Sequence, residues 1–191
     1  NTIVGRSAGE GLTTSENSVM IGSYTGQAAM TGGSNVAVGI QAMGNTTSGG
    51  SNVAIGRLAL NANTTASNNT AVGRESLLSN TTGDNVTAVG SDALYNNTTG
   101  NFNTAFGYQS GYSNTTGQQG TFLGYQAGFA VTGDHNTAVG LQALRGTTGS
   151  TGQLNTGVGR EAGYSISSGS ENVFVGIRSG FATTTGGGNT T

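Results

Sequence analysis

One histidine, six arginines and eight acids, with six tyrosines, are nearly all the titratable chemistry in this chain of 191 residues. His135 lies in Gly133-Asp134-His135-Asn136, where one aspartate beside one imidazole is too poor a donor set for a metal. It reads as a solvated loop histidine. A calcium roll would need the aspartate-rich Gly-Gly-x-Gly-x-Asp pattern, which is missing, and the chain has only three aspartates. No Ser/His/Asp set, phosphate-cradling loop or paired-carboxylate cleft can be assembled from these residues, so no enzyme, no catalytic residue, no cofactor and no metal is expected. Arg6, Arg57, Arg74 and Arg160 each follow a glycine, and Glu75 and Glu161 come next. They could pair between chains to fix register, but scattered surface charge worth about 0–1 kcal/mol a pair is the preferred reading. Asn-x-Thr occurs at Asn45, Asn63, Asn80, Asn97, Asn114 and Asn189. Such sequons accept N-glycans in a eukaryotic or archaeal secretory pathway. Here they follow from Asn recurring before Thr-Thr, and are read as incidental.

Composition narrows the classes further. The chain has no Cys, Pro, Trp or Lys, 36 Gly and a net charge of −2. That balance excludes a general electrostatic grip on nucleic acid or anionic membrane, which needs clustered Lys and Arg. No run approaches the ~20 apolar residues of a membrane span, so no membrane insertion is expected. The chain starts at Asn without a signal-peptide pattern and reads as an excised or processed segment. So few charges and large apolar residues would suit disorder, were the apolar residues not strictly periodic.

The period is set by Gly5, Gly22, Gly39, Gly56, Gly73, Gly90, Gly107, Gly124, Gly140, Gly159 and Gly176. Seven gaps are of 17 residues, followed by gaps of 16, 19 and 17. One period fills residues 1–191, so a single repeat domain without linkers is expected. The residue before each Gly is apolar, from Val4 and Ile21 to Val158 and Val175, and the residue two earlier is Val or Thr. Residues two apart share one strand face, which makes this a short β-strand whose column before the Gly is expected at the core centre. Its opposite face carries Ala37, Ala54, Ala71, Ala88, Ala105 and Ala138, with Ile3, Met20, Phe122, Gly157 and Phe174 as exceptions. A strand apolar on both faces is covered on both, one cover being another part of the coil or another chain. Phe122 and Phe174 are expected in the junction between chains.

A second element follows the Gly. Its third residue is small, and its fourth is Leu or Met (Met43, Leu60, Leu77, Leu94, Leu144) or Gly. Four of the Gly cases put a ring next (Tyr112, Phe129, Tyr164, Phe181), read as bulk filling the same space by another route. The rest of the coil is turn chemistry of the Asn-x-Thr-Thr-Gly type, and the insertion between Gly146 and Gln153 falls there. A 17-residue coil has room for two short strands and two corners. Stacked in parallel at ~4.8 Å per rung, about eleven coils make a rod on the order of 50 Å long. The fold class is therefore all-β, a parallel β-solenoid or β-roll. Asn recurs four residues before the Gly (Asn1, Asn35, Asn52, Asn69, Asn103, Asn136, Asn155, Asn172), with Asn17 and Asn85 one place earlier. The column suits an amide ladder, although Asn also simply favours turns. Tyr95, Tyr112 and Phe129 should stack, and so should Tyr108 and Tyr125.

Asn17-Ser18-Val19-Met20-Ile21-Gly22 resembles the Asn-Ser-Val-Ala-Ile-Gly signature of YadA-like trimeric autotransporter adhesin heads. Ser34 to Gly39 and Ser51 to Gly56 are near variants, and Asn69 to Gly83 is similar to repeats of phage tail fibres. The resemblance implies a left-handed parallel β-roll, three chains about one axis, and display on a cell or virion surface. The period departs from it, since those heads use about 14 or 15 residues, and most Asn sit one place later. A structural or adhesive extracellular fibre segment is thus expected, a homotrimer with a host-surface glycan or protein receptor as outside partner. The alternative is an ice-binding solenoid using the pairs Thr13-Thr14, Thr64-Thr65, Thr81-Thr82, Thr98-Thr99 and Thr115-Thr116. Adjacent Thr in a strand point to opposite sides, which counts against it.

Overall fold

The computed structural model describes all 191 residues. Eleven three-residue strands follow one another: β1 (Thr2–Val4), β2 (Val19–Ile21), β3 (Val36–Val38), β4 (Val53–Ile55), β5 (Thr70–Val72), β6 (Thr87–Val89), β7 (Thr104–Phe106), β8 (Thr121–Leu123), β9 (Thr137–Val139), β10 (Thr156–Val158) and β11 (Val173–Val175). They form one parallel sheet in chain order. Equivalent residues pair across every rung: Ala54 opposes Ala71, Ala71 opposes Ala88, and Ala105 opposes Phe122. The length changes after Gly124 leave this register intact, with Thr121 opposite Thr137 and Thr137 opposite Thr156. The chain is a parallel β-solenoid.

Each strand ends at the recurring Gly. Gly39 has φ +133°, and a Cβ there would lie 2.5 Å from the carbonyl oxygen of Gly56 on the next rung. Both the conformation and the spacing exclude a side chain.

Beyond the Gly there is no second strand, contrary to the sequence expectation. Alternate residues adopt positive φ, as at Leu58 (59°) and Leu60 (52°), and again at Glu75 (57°) and Leu77 (51°). A non-glycine residue pays for that conformation, of the order of 1–2 kcal/mol. The bent backbone then bonds between coils: the N–H of Leu60 donates to Ser76 O at 3.0 Å, and that of Thr47 to Thr64 O at 2.8 Å. Only 20 of 122 backbone hydrogen bonds lie within the strands, so most backbone cohesion comes from the turns.

The core is also placed differently from expectation. The column before the Gly faces outward, with Val4 57% exposed, Ile55 41% and Val175 60%, whereas Ala37, Ala54, Ala71 and Ala88 are fully buried. Alternation explains this: once the middle residue of a three-residue strand points inward, both neighbours point out. The interior is narrow, and Met43, Leu60, Leu77, Leu94 and Leu144 fill it from the opposite wall.

Where that wall has Gly, bulk comes from the strand. A Cβ on Gly111 would lie 2.7 Å from Cδ2 of Phe122, and one on Gly128 closer still to the same ring. Phe174 likewise fills the space at Gly163 and Gly180, and Met20 that at Gly26. The converse holds at Gly157, whose absent Cβ leaves room for Leu144, 2.7 Å away. Phe122 and Phe174 therefore sit in the core of their own chain, not between chains. Tyr112, Phe129, Tyr164 and Phe181 stand outside it.

Candidate functional site

Two Asn columns hold the corners. Asn35 Oδ1 accepts the N–H of Asn52 at 3.0 Å, Asn52 Oδ1 that of Asn69 at 2.9 Å, and Asn69 Oδ1 that of Val86 at 2.8 Å. Their amides donate to carbonyls of the next coil, Asn52 to Ala66 O and Asn69 to Gly83 O, both at 2.9 Å. The expected side chain to side chain ladder runs from Asn136 through Asn155 and Asn172 to Asn189, with steps of 3.1, 2.9 and 2.9 Å. Elsewhere the column bonds mainly to backbone. Asn17 and Asn85 lie outside it at φ 57°, and Ser18 and Val86 take the buried place.

The second column, Asn63, Asn80, Asn97 and Asn114, is also buried, with Asn97 Nδ2 donating to Asn80 Oδ1 at 2.8 Å. Those four sequons are closed to a glycan because the acceptor nitrogen lies inside the coil. Asn45 and Asn189 are exposed. The Thr pairs occupy the same corner. In four of the five the first hydroxyl is spent on the next rung, as from Thr64 to Thr81 O at 3.0 Å and from Thr81 to Thr98 O at 3.1 Å.

His135 is exposed, with φ 58° and its N–H bonded to Gln118 O at 2.9 Å. No group of three His, Cys, Asp or Glu side chains gathers anywhere. Three ion pairs join successive coils of one chain, Arg57 to Glu75 at 2.6 Å, Arg74 to Asp92 at 2.9 Å and Arg178 to Glu161 at 2.5 Å, and Arg74 also meets its neighbour Glu75 at 3.0 Å. Arg6 instead lies 5.1 Å from the ring of Tyr24.

Five residues past the recurring Gly runs a column of rings. Tyr95 and Tyr112 stack at 5.2 Å between centroids, Tyr112 and Phe129 at 5.2 Å, and Tyr164 and Phe181 at 4.9 Å. Burial, with the nearby Tyr95, Asp92 and Glu75, raises the Tyr112 phenol above its usual value of 10.0. Arg145 fills the gap in the column, its guanidinium carbon 5.2 Å from the Phe129 ring centre and 5.5 Å from that of Tyr164. Arg145 stands five residues past Gly140, as Tyr164 does past Gly159, so the column is continuous when counted from the Gly and only its aromatic residue type is interrupted. Tyr108 and Tyr125 form the second expected stack, at 5.5 Å.

The broadest uniform surface is the outer face of the β1–β11 sheet. One outward column is Thr or Val at every rung, with Thr from Thr70 to Thr156 on β5 to β10. The other is apolar throughout, including Ile21, Phe106, Leu123 and Val158, all exposed. Neither column contains a charge. No cavity interrupts the ribbed surface, so an outside partner meets columns of side chains rather than a cleft. Neither the family models, nor the curated proteins, nor the solved structures include a match to this chain.

Proposed function

We propose that this chain is a segment of an extracellular fibre shaft, three copies of which pack through the outer faces of their sheets, and that it serves surface attachment. The observation that carries the reading is the uncharged, apolar column that runs outward from Val4 to Val175, exposed on seven strands and half-buried on the other four. A contiguous apolar strip of that length is rare on a lone soluble chain, and each branched side chain it covers contributes up to about 1.5–3 kcal/mol. Three-fold closure hides one strip per chain at the axis and leaves corners and rings outward. The sequence resemblance to trimeric adhesin heads and tail-fibre repeats supports the same arrangement. Sedimentation equilibrium at low concentration tests it: three times the chain mass is the expected result, and a stable, folded monomer overturns it.

A second reading has its own observation. The Thr column on β5 to β10 repeats a hydroxyl and a methyl on every rung of a parallel sheet, as an ice-binding face would. It rests on these strand threonines, not on the corner pairs. Phe106 and Leu123 break the neighbouring column in the middle of that run, which favours the fibre. A thermal-hysteresis measurement separates the two.

A further inference from the structure

We infer that Arg145 is the anchor of a binding site for a carboxylated sugar, of the uronic or sialic acid type, on the outward ring column; this rests on the attachment reading above. Three of the other arginines, Arg57, Arg74 and Arg178, meet a carboxylate of the same chain. Arg145 meets none. Its Nε is buried without a partner, and its side chain forms no ion pair. Its guanidinium lies against two rings, the carbon 5.2 Å from the centre of Phe129 and 5.5 Å from that of Tyr164.

Its backbone is held as well. Its carbonyl accepts the N–H of Ala130 at 2.8 Å, and the following Gly146 donates to Tyr164 O at 3.1 Å. The fork is thus fixed before any ligand arrives, with the terminal Nη pair left as its donors. A carboxylate matches that pair with two parallel charge-assisted hydrogen bonds, and little rotamer freedom remains to be lost on binding.

The surroundings select a sugar. The half-buried rings of Phe129 and Tyr164 offer apolar edges to the C–H face of a pyranose, and the exposed Thr147 and Thr148, two and three residues after Arg145, offer hydroxyls. No acid stands beside the guanidinium to compete. The site lies on the ring column, away from the outer sheet face, and stays open when three chains pack through that face.

The test uses the full chain and two probes, methyl glucuronide and methyl glucoside, which differ at the carboxylate. Proton NMR follows the ring signals of Phe129 and Tyr164. Saturable shifts with the glucuronide and none with the glucoside are expected. Arg145→Met, which keeps an unbranched side chain between the rings, should weaken binding at least about tenfold, the weight of a charge-assisted pair. Should that variant fold poorly, Arg145→Lys keeps the charge and loses the fork, and should weaken binding too. Absence of glucuronide-dependent shifts, unchanged binding in the folded variants, or equal binding of N-acetylglutamate amide would each overturn the site. Sedimentation of the same samples keeps the two readings apart: a trimer blind to glucuronide loses only the site, and a monomer that binds it loses only the shaft.

Discussion

The ring of Phe122 fills the space that a side chain at Gly111 would occupy, Cδ2 lying 2.7 Å from where the Cβ would stand. The same ring covers Gly128 one rung further on. The two walls of the coil thus share one volume, filled by Ala plus Leu or Met in five of the eleven rungs and by Phe plus two Gly here. Phe122→Ala should cost about 3–5 kcal/mol, because neither glycine can supply the lost bulk. Adding Gly111→Leu and Gly128→Leu should recover much of it, since Leu94 already occupies the equivalent place at φ 47°. Thermal midpoints of the single and triple variants decide this: a triple variant no more stable than Phe122→Ala would refute the exchange.

Asn52 ties three coils together. Its Oδ1 accepts from Asn69 N–H and its Nδ2 donates to Ala66 O, both at 2.9 Å and both buried, while its own N–H donates to Asn35 Oδ1. Asn52→Leu strands a buried donor and a buried acceptor, each costing about 1–3 kcal/mol. Asn85 is exposed and outside the ladder, so Asn85→Asp should lie within about 0.5 kcal/mol of the native chain. Denaturant melts of the two variants should differ accordingly, and equal losses would mean that Asn serves the corners only as a turn residue.

Period, strand position and ring stacking were legible in the sequence because every copy repeats them at a fixed count. The inside and outside of the strand were not. Val and Ile look like core residues, and Ala looks like a contact surface, until the coil proves too narrow for branched side chains on the strand wall. That narrowness is set by the turns at Leu60 and Leu77, whose positive φ no composition signal announces for leucine. The trade of Phe122 against Gly111 and Gly128 was hidden because it crosses a rung. Arg145 was overlooked because it is not aromatic, although it stands five residues past Gly140 as the rings stand past their own Gly.

The alkaline limb of stability should depend on Tyr112. Burial raises its phenol in the folded chain above 10.0, with Tyr95, Asp92 and Glu75 adding to the effect. A raised folded value favours the neutral form, so the contribution is fully present below pH 10.0 and is lost as pH climbs through the folded value. Tyr112→Phe keeps the stack, as Phe129 does in the next rung, and removes the ionising group. Melting midpoints between pH 9 and pH 12 should fall less steeply for the variant (a titration range chosen to span the ~10 of a free phenol). Parallel curves would show that Tyr112 carries no share of the alkaline loss.

Two neighbouring substitutions on β5 separate folding from assembly. Ala71 is fully buried among Leu60, Leu77 and the alanines of adjacent rungs, whereas Val72 points outward. Asp at position 71 would place a charge in a core with no partner for it, at a cost of several kcal/mol. Ala71→Asp should therefore yield a chain without cooperative melting. Asp at position 72 leaves the coil interior untouched and meets water in a free chain. In a three-fold assembly the same change brings three carboxylates toward one axis, where they can neither hydrate fully nor avoid one another. Val72→Asp should keep the circular dichroism of the native chain while its sedimentation mass falls to that of one chain. A native-like trimer carrying Asp at position 72 would place the contact elsewhere and end the proposal that the outer sheet face lies at the fibre axis.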